Sequence, residues 1–184
     1  MLQELVGDDK PLRYLCEDET RLGLHTISGQ LITLKGVKPI GLQQWKRDNF
    51  YLYGVVEPLS GDSFFYEFSH LDSFCYQHFI EMVSAHWADS VVVMQMDRGK
   101  FHSAQYLDWP ENIIPIFQPA HSPELNPIER LWGYLKAQLR WENCQSLKQL
   151  RLRLSDFLEQ LTPELIASLT GWEFITAAVL SSSS

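Results

Sequence analysis

Three acidic residues, Asp18, Asp97 and Glu129, have the type and the placement that phosphodiester chemistry requires. Each aspartate ends a segment that predicts a β-strand, and the glutamate lies at the start of a predicted helix. Carboxylate oxygens are the ligands that hard cations such as Mg²⁺ prefer. Two such cations can activate a nucleophilic oxygen and stabilise the leaving oxygen of a phosphodiester. The three acids are therefore sufficient for a two-metal nuclease site, provided that the fold brings them together.

Each acid also has a purely structural interpretation, which spacing alone leaves open. Asp18 lies in a run of three acids, which is typical of a solvated turn. Asp97 can cap the segment that follows its strand. Residues 126–129, Asn-Pro-Ile-Glu, fit the N-cap to N3 positions of a helix, with Glu129 completing a capping box. Capping and metal ligation are compatible, because a carboxylate in the first helical turn can face its own backbone or an external ion.

The surrounding sequence predicts an α/β domain that positions these acids. The apolar run at 90–97 indicates a strand covered on both faces, as in a mixed sheet flanked by helices. In such sheets chemistry gathers at the strand ends. Residues 21–49, which glycine and proline interrupt, predict a loop or a small β excursion. The predicted strands are 12–18, 50–58, 62–70, 90–97 and 112–117, of which the second and third form a hairpin. The predicted helices are 73–87, a helix from 126 onward, 146–161 and 163–178. The apolar positions of the first helix are Phe74, Phe79, Met82, Val83 and Trp87, and those of the second are Ile128, Leu131, Leu135 and Leu139.

The composition is that of one globular domain. The chain has 184 residues, of which 45% are hydrophobic and 21% charged. It contains no apolar run of membrane-spanning length and no signal-peptide pattern at its start, so we expect a cytoplasmic protein without a membrane partner. The cysteines are three in number and far apart, which predicts buried thiols rather than disulfides or a zinc site.

The charge distribution gives two opposing indications. A net charge of -8 argues against a general polyanion-binding protein, because Lys and Arg supply most non-specific affinity for nucleic acid. Between 130 and 153, however, basic residues face a single acid, Glu142. Such a run is typical of a solvated helix face, and it also offers phosphate contacts. The basic residues of this run are Arg130, Lys136, Arg140, Lys148, Arg151 and Arg153.

Residues 118–132, QPAHSPELNPIERLW, resemble a motif of the DDE transposases of the bacterial insertion-sequence group related to mariner elements. In that family a phrase of the type SP(D/E)LNPIE introduces the helix that carries the third acid, which corresponds to Glu129 and not to Glu124. Residues 96–104, MDRGKFHSA, resemble the second motif, and residues 16–20, CEDET, resemble the first. The resemblance places the other two acids at the aspartates singled out above and extends over roughly residues 12–160.

The resemblance implies an RNase H-like fold, similar to that of retroviral integrases, in a catalytic domain at 12–160. An extension at 1–11 would precede it and a C-terminal helix and tail at 161–184 would follow, without the helix-turn-helix domain that family members usually carry. The implied activity is metal-dependent DNA cleavage and strand transfer, with the three acids ligating two Mg²⁺ or Mn²⁺ ions. The implied partners are transposon ends and target DNA, with a homodimer or a separately encoded helix-turn-helix subunit.

The same resemblance suggests roles for residues around the acids. His102 occupies the position of a family histidine and would orient a carboxylate or contact DNA. Arg130, Lys136 and Arg140 would contact phosphates beside the site.

Arg98 is a departure from the family pattern, which usually has Asn after the second acid. Its fixed charge can pair with Asp97, hold a DNA phosphate or compete with a metal. This departure and the absent reading domain favour a second hypothesis, a catalytically inactive remnant that binds DNA or a partner subunit. A host RNase H-like nuclease or resolvase is a third hypothesis.

Overall fold

The computed structural model describes residues 10–24, 35–36, 46–99, 107–120, 122–140 and 142–173. Within these residues the strands and helices follow the predicted order. The strands are β1 (Leu12–Gly23), β2 (Asn49–Val56), β3 (Ser63–Phe68), β4 (Val91–Met96) and β5 (Ile113–Phe117). The helices are α1 (Ser73–His86), α2 (Ile128–Leu139), α3 (Leu147–Glu159) and α4 (Pro163–Thr170), and a single 3-10 turn (Pro123–Leu125) precedes α2.

Strand β1 lies at the centre of a five-stranded sheet of order β3-β2-β1-β4-β5. Its first part, from Leu12 to Cys16, pairs in parallel with β4, and its second part, from Cys16 to Gly23, pairs antiparallel with β2. The prediction that this strand ends at Asp18 is therefore wrong. The strand continues because β2 supplies hydrogen-bonding partners beyond the acidic run, with Asp18 opposite Gly54.

The two faces of the sheet form separate hydrophobic cores, because successive side chains of a strand point to opposite faces. On one face, Leu15 packs in a core that α1 completes with residues such as Phe79. On the other face, Cys16 packs in a core completed by α2, α3 and α4, which includes Trp132 and Ile166. Asp18 follows Cys16 by two positions in β1 and so shares the face of α2.

Several predictions of local structure are confirmed. The hairpin forms between β2 and β3, and β4 ends one residue before Asp97, as the apolar run predicted. Cys16, Cys75 and Cys144 are free and buried. No helix in the described part of the chain is long and apolar enough to cross a membrane.

Two helix predictions need correction. Phe74, predicted to face the core, is 72% exposed. The predicted positions Phe79 and Val83 are buried, but the buried face of α1 begins at Cys75 and also includes Tyr76 and Ile80. The helix predicted at 163–178 ends at Thr170, where Gly171 donates its N–H to the carbonyl of Ala167. Positions 174–178, and most of the predicted loop at 21–49, lie outside the described residues.

Candidate active site

Three separate elements bring Asp18, Asp97 and Glu129 to one cleft. The parallel pairing of β1 and β4 ends with Cys16 opposite Gln95, so the two aspartates lie two residues further along neighbouring chain segments. Glu129 lies in the first turn of α2, which packs on the same face. All three line a cleft of about 420 Å³. The structure therefore groups the acids that the sequence singled out, while their role as metal ligands stays a prediction.

The three carboxyl groups influence one another electrostatically. Burial raises the pKa of Asp18 well above its usual range, and the neighbouring charges of Glu19, Glu129 and Asp97 raise it further. Burial also raises the pKa of Glu129, where Lys136 opposes the shift and Asp97 adds to it. Each pair among the three acids thus interacts. A cation bound in the cleft that the three acids line would offset the repulsion between their charges.

The donor set fits a hard divalent cation, because the three acids offer only carboxylate oxygens. The three acids do not form a preformed metal site: across the described residues, no three His, Cys, Asp or Glu side chains are grouped so that they could hold a metal ion. Asp97 is exposed and Glu129 is half-buried, so both side chains have room to turn toward a shared ion.

Asn126 ties the start of α2 to the central strand. Its side-chain Nδ2 donates to the backbone carbonyl of Glu17 at 2.7 Å, and the residue is 1% exposed. The predicted capping box is wrong, because no side chain caps α2 and the N–H of Asn126 is bonded instead to the carbonyl of Pro123. The amide of Asn126 bonds to β1 through its nitrogen, and its Oδ1 accepts from no residue in the described part of the chain. Glu129 is therefore not engaged in a capping box and lines the cleft.

A second anchor comes from Trp132, three residues after Glu129 on α2. Its indole Nε1 donates to Oδ2 of Asp18 at 2.9 Å. This contact was not predicted from the sequence, because the two residues are 114 positions apart and nothing local signals their proximity.

An amide network holds the loop between β5 and α2. Gln95 accepts from the hydroxyl of Tyr14 and donates through Nε2 to the carbonyl of Leu125 at 2.9 Å and to Oε1 of Gln118 at 3.2 Å. Gln118 also lines the cleft. This network was not predicted either, although Gln95, the one polar residue within the run 91–96, is a signal of it in the sequence.

Arg98 is exposed and lines the same cleft as the acids. The described residues include no ion pair between Arg98 and Asp97; Oδ1 of Asp97 instead accepts from the backbone N–H of Gly99 at 2.7 Å. Of the three roles considered for Arg98, pairing with Asp97 is thus not observed. His102 lies outside the described residues.

The basic run between 130 and 153 is partly neutralised by acids. Arg151 binds both carboxylate oxygens of Glu67 at 2.5–2.9 Å, and Arg153 pairs with Glu142 at 3.0 Å. The guanidinium of Arg130 lies over the ring of Trp172, 4.7 Å from its centroid. Four cations of this run form no ion pair within the described residues, and we call them the basic group: Arg130, Lys136, Arg140 and Lys148.

The family described as DDE superfamily endonuclease matches residues 13–151, three quarters of the chain. The chain belongs to the DDE superfamily endonucleases. This DDE endonuclease is 27% identical over 103 residues to the transposable element Tcb2 transposase of Caenorhabditis briggsae, covering 52% of this chain and 38% of that one. It is 29% identical over 87 residues to the uncharacterized protein y4pE/y4sA of Sinorhizobium fredii, covering 47% and 64%.

The fold of the DDE endonuclease is similar to that of Mos1 transposase. A pre-cleavage Mos1 transpososome superposes with a TM-score of 0.70 at 14% identity, covering 86% of this chain and 52% of that one. The Mos1 strand transfer complex gives a TM-score of 0.65 at 17% identity, covering 86% and 50%. The predicted RNase H-like mixed sheet and the family resemblance are confirmed. The chain spans about half of these structures and less than two thirds of either curated relative.

Proposed function

We propose that this chain is the catalytic domain of a transposase, which hydrolyses a phosphodiester at a transposon end and joins the freed 3′-hydroxyl to target DNA. The observation that carries the proposal is the cleft in which carboxylates from β1, from the end of β4 and from α2 act on one another's pKa. Family membership supports it, as do the neighbouring Mos1 structures, which are paired-end complexes with Mn and with Mg.

In this proposal Asp18, Asp97 and Glu129 hold two Mg²⁺ or Mn²⁺ ions. When bound, such ions activate the attacking oxygen and stabilise the leaving oxygen of an in-line displacement. Asp18 lies on the central strand and is held by a side-chain hydrogen bond, so it supplies the fixed point of the site. Asp97 and Glu129 lie at a strand end and a helix start, where smaller movements complete the donor set.

The residues around the acids would hold the DNA. Arg130, Lys136 and Arg140 remain proposed phosphate contacts, and stacking on Trp172 leaves the edge of the Arg130 guanidinium for a phosphate. Arg98 is exposed beside the acids, which favours a phosphate contact for it as well. For His102 we keep the proposal that it orients a carboxylate or contacts DNA.

We further propose that residues 12–160 form the catalytic core. Ile166 of α4 adds to the hydrophobic core that this segment builds. Transposon ends and target DNA are the proposed substrates. The proposed protein partner is a second copy of the chain or a separately encoded helix-turn-helix subunit, of which the latter would recognise the ends. The proposed setting is the bacterial cytoplasm.

A plasmid-nicking assay tests the activity. The full chain, with Mg²⁺ or Mn²⁺ at low salt, should nick supercoiled DNA slowly and with little sequence preference. Asp97→Asn and Glu129→Gln should abolish nicking, because each removes a charged ligand. Glu124→Gln is the matched control. Glu124 is an exposed acid in the 3-10 turn that precedes α2, and it does not line the cleft, so this variant should keep wild-type activity.

The outcomes separate the proposal from its rivals. Equal nicking by wild type and Asp97→Asn would reveal a contaminating nuclease. DNA binding without metal-dependent nicking would favour the catalytically inactive remnant. That alternative is supported by Arg98, which stands where the family usually has a neutral Asn. In that case Arg98→Asn should restore cleavage if the cation competes with the metal.

A further inference from the structure

Helix α2 carries one proposed metal ligand, Glu129, and also Trp132, which donates a hydrogen bond to a second proposed ligand, Asp18. Glu129 and Trp132 are three residues apart on α2, so they lie on neighbouring positions of the helix surface. The indole Nε1 of Trp132 is 2.9 Å from Oδ2 of Asp18. Trp132 is 1% exposed, so its indole is buried, while the acceptor Asp18 is partly buried and lines the cleft.

The space for the indole depends on Gly54. This glycine lies directly opposite Asp18 in the β1–β2 register. A Cβ atom at Gly54 would lie 2.7 Å from Cη2 of Trp132, well inside van der Waals contact. On the same side the ring of Phe65 meets the indole edge-on, with centroids 6.0 Å apart. The backbone and the neighbouring ring therefore leave the indole one position, in which its N–H reaches Asp18.

We propose that Trp132 is a positioning residue for metal binding: its indole N–H fixes one oxygen of Asp18 and leaves the other for the cation. The inference rests on the proposed function. An indole N–H is only a donor and does not change its role with protonation, so the carboxylate is held in one orientation. Hydrogen-bond partners of this kind orient metal ligands, and losing one typically weakens metal affinity or activity about 10- to 100-fold.

The test is the affinity of the full chain for Mn²⁺ without DNA, measured by isothermal titration calorimetry. Trp132→Phe keeps an aromatic ring and removes the donor, so Mn²⁺ affinity should fall about tenfold or more. Trp87→Phe is the matched control, because Trp87 is also buried but packs in the core on the α1 face of the sheet. That variant should bind Mn²⁺ as wild type does. Near-ultraviolet circular dichroism checks that both variants are folded.

Each outcome decides the inference. A folded Trp132→Phe variant with wild-type or tighter Mn²⁺ affinity overturns it, as does an equal loss in Trp87→Phe. Absence of Mn²⁺ binding by wild type refutes the proposed function itself, and the inference with it. If Trp132→Phe does not fold, β-(3-benzothienyl)alanine at position 132 keeps the shape of the indole while sulfur replaces the N–H. The same affinity loss is expected from that replacement, and unchanged affinity overturns the inference.

Discussion

Replacing Gly54 by alanine should destabilise the protein through one identifiable clash. The added Cβ would lie 2.7 Å from Trp132 and 2.8 Å from Phe65, and both contacts are with rigid rings rather than flexible chain ends. Overpacking of this kind costs about 1–3 kcal/mol. Alanine in place of glycine recovers about 0.4–1 kcal/mol by restricting the unfolded chain. The net loss should be about 1–2 kcal/mol, which for a chain of this size lowers Tm by about 2–8 °C.

Calorimetric melting of Gly54→Ala beside Gly133→Ala measures this effect against an internal standard. Gly133 lies next to Trp132 on α2, and a Cβ there would meet no atom within 4 Å. Because alanine is the better helix former by about 1 kcal/mol, Gly133→Ala should raise Tm. Opposite signs for the two substitutions are the expected result. A Tm for Gly54→Ala at or above that of wild type would show that the Trp132 ring yields freely, and would refute the argument that its position is fixed.

Three further predictions concern other parts of the structure. Asn126→Ala removes the donor to the Glu17 carbonyl and should cost about 1–3 kcal/mol in urea unfolding; an unchanged midpoint would contradict the proposed tie between α2 and β1. Asp72→Ala removes the α1 cap, in which the N–H of Cys75 lowers the Asp72 pKa, so about 1 kcal/mol should be lost at neutral pH. Because the pKa of Asp72 is lowered in the folded state, the cap contributes its full stability above the unfolded-state pKa of 3.8 and less below it. The stability difference between wild type and Asp72→Ala should therefore shrink as the pH falls below 3.8, and a constant difference would refute the cap's role. If DNA binds only through the four residues of the basic group, the slope of log K against log salt should be no steeper than about -4 by fluorescence anisotropy. A steeper slope would contradict this and mean that further cations, such as Arg98, also contact phosphates.

Elements that depend on local pattern were predictable from the sequence. The hairpin and β4 follow from aromatic, β-branched and apolar runs separated by turn residues. The length of β1 was not predictable in this way, because Glu17, Asp18 and Glu19 together indicate a solvated turn. Glu17 is in fact fully buried, with the hydroxyl of Tyr76 3.4 Å from its Oε2. Only the pairing with a strand that begins at Asn49 makes this acidic run a strand interior.

The candidate site likewise contains residues that local sequence predicts and residues that it does not. Residue type, spacing and the family motif were sufficient to select the three acids. The groups that hold them were missed, because Trp132, Gly54 and Gln95 act through contacts distant in sequence. The capping box failed for a related reason: its local pattern is satisfactory, but the amide of Asn126 is turned toward a buried carbonyl of β1, which is distant in sequence.

The central position of β1 also bears on how the chain folds during translation. Strand β1 emerges first and finds β2 soon afterwards, but its other edge needs β4, which begins at Val91. At about 5–20 residues per second, that edge stays open for roughly 3–14 s after β1 is made. An open strand edge is a template for association with other chains, so this interval is when chaperone binding would matter most. A polypeptide that stops before α2 carries two of the three acids and neither Glu129 nor Trp132. Under the proposed function, a product of synthesis that ends before α2 would therefore lack a complete set of metal ligands.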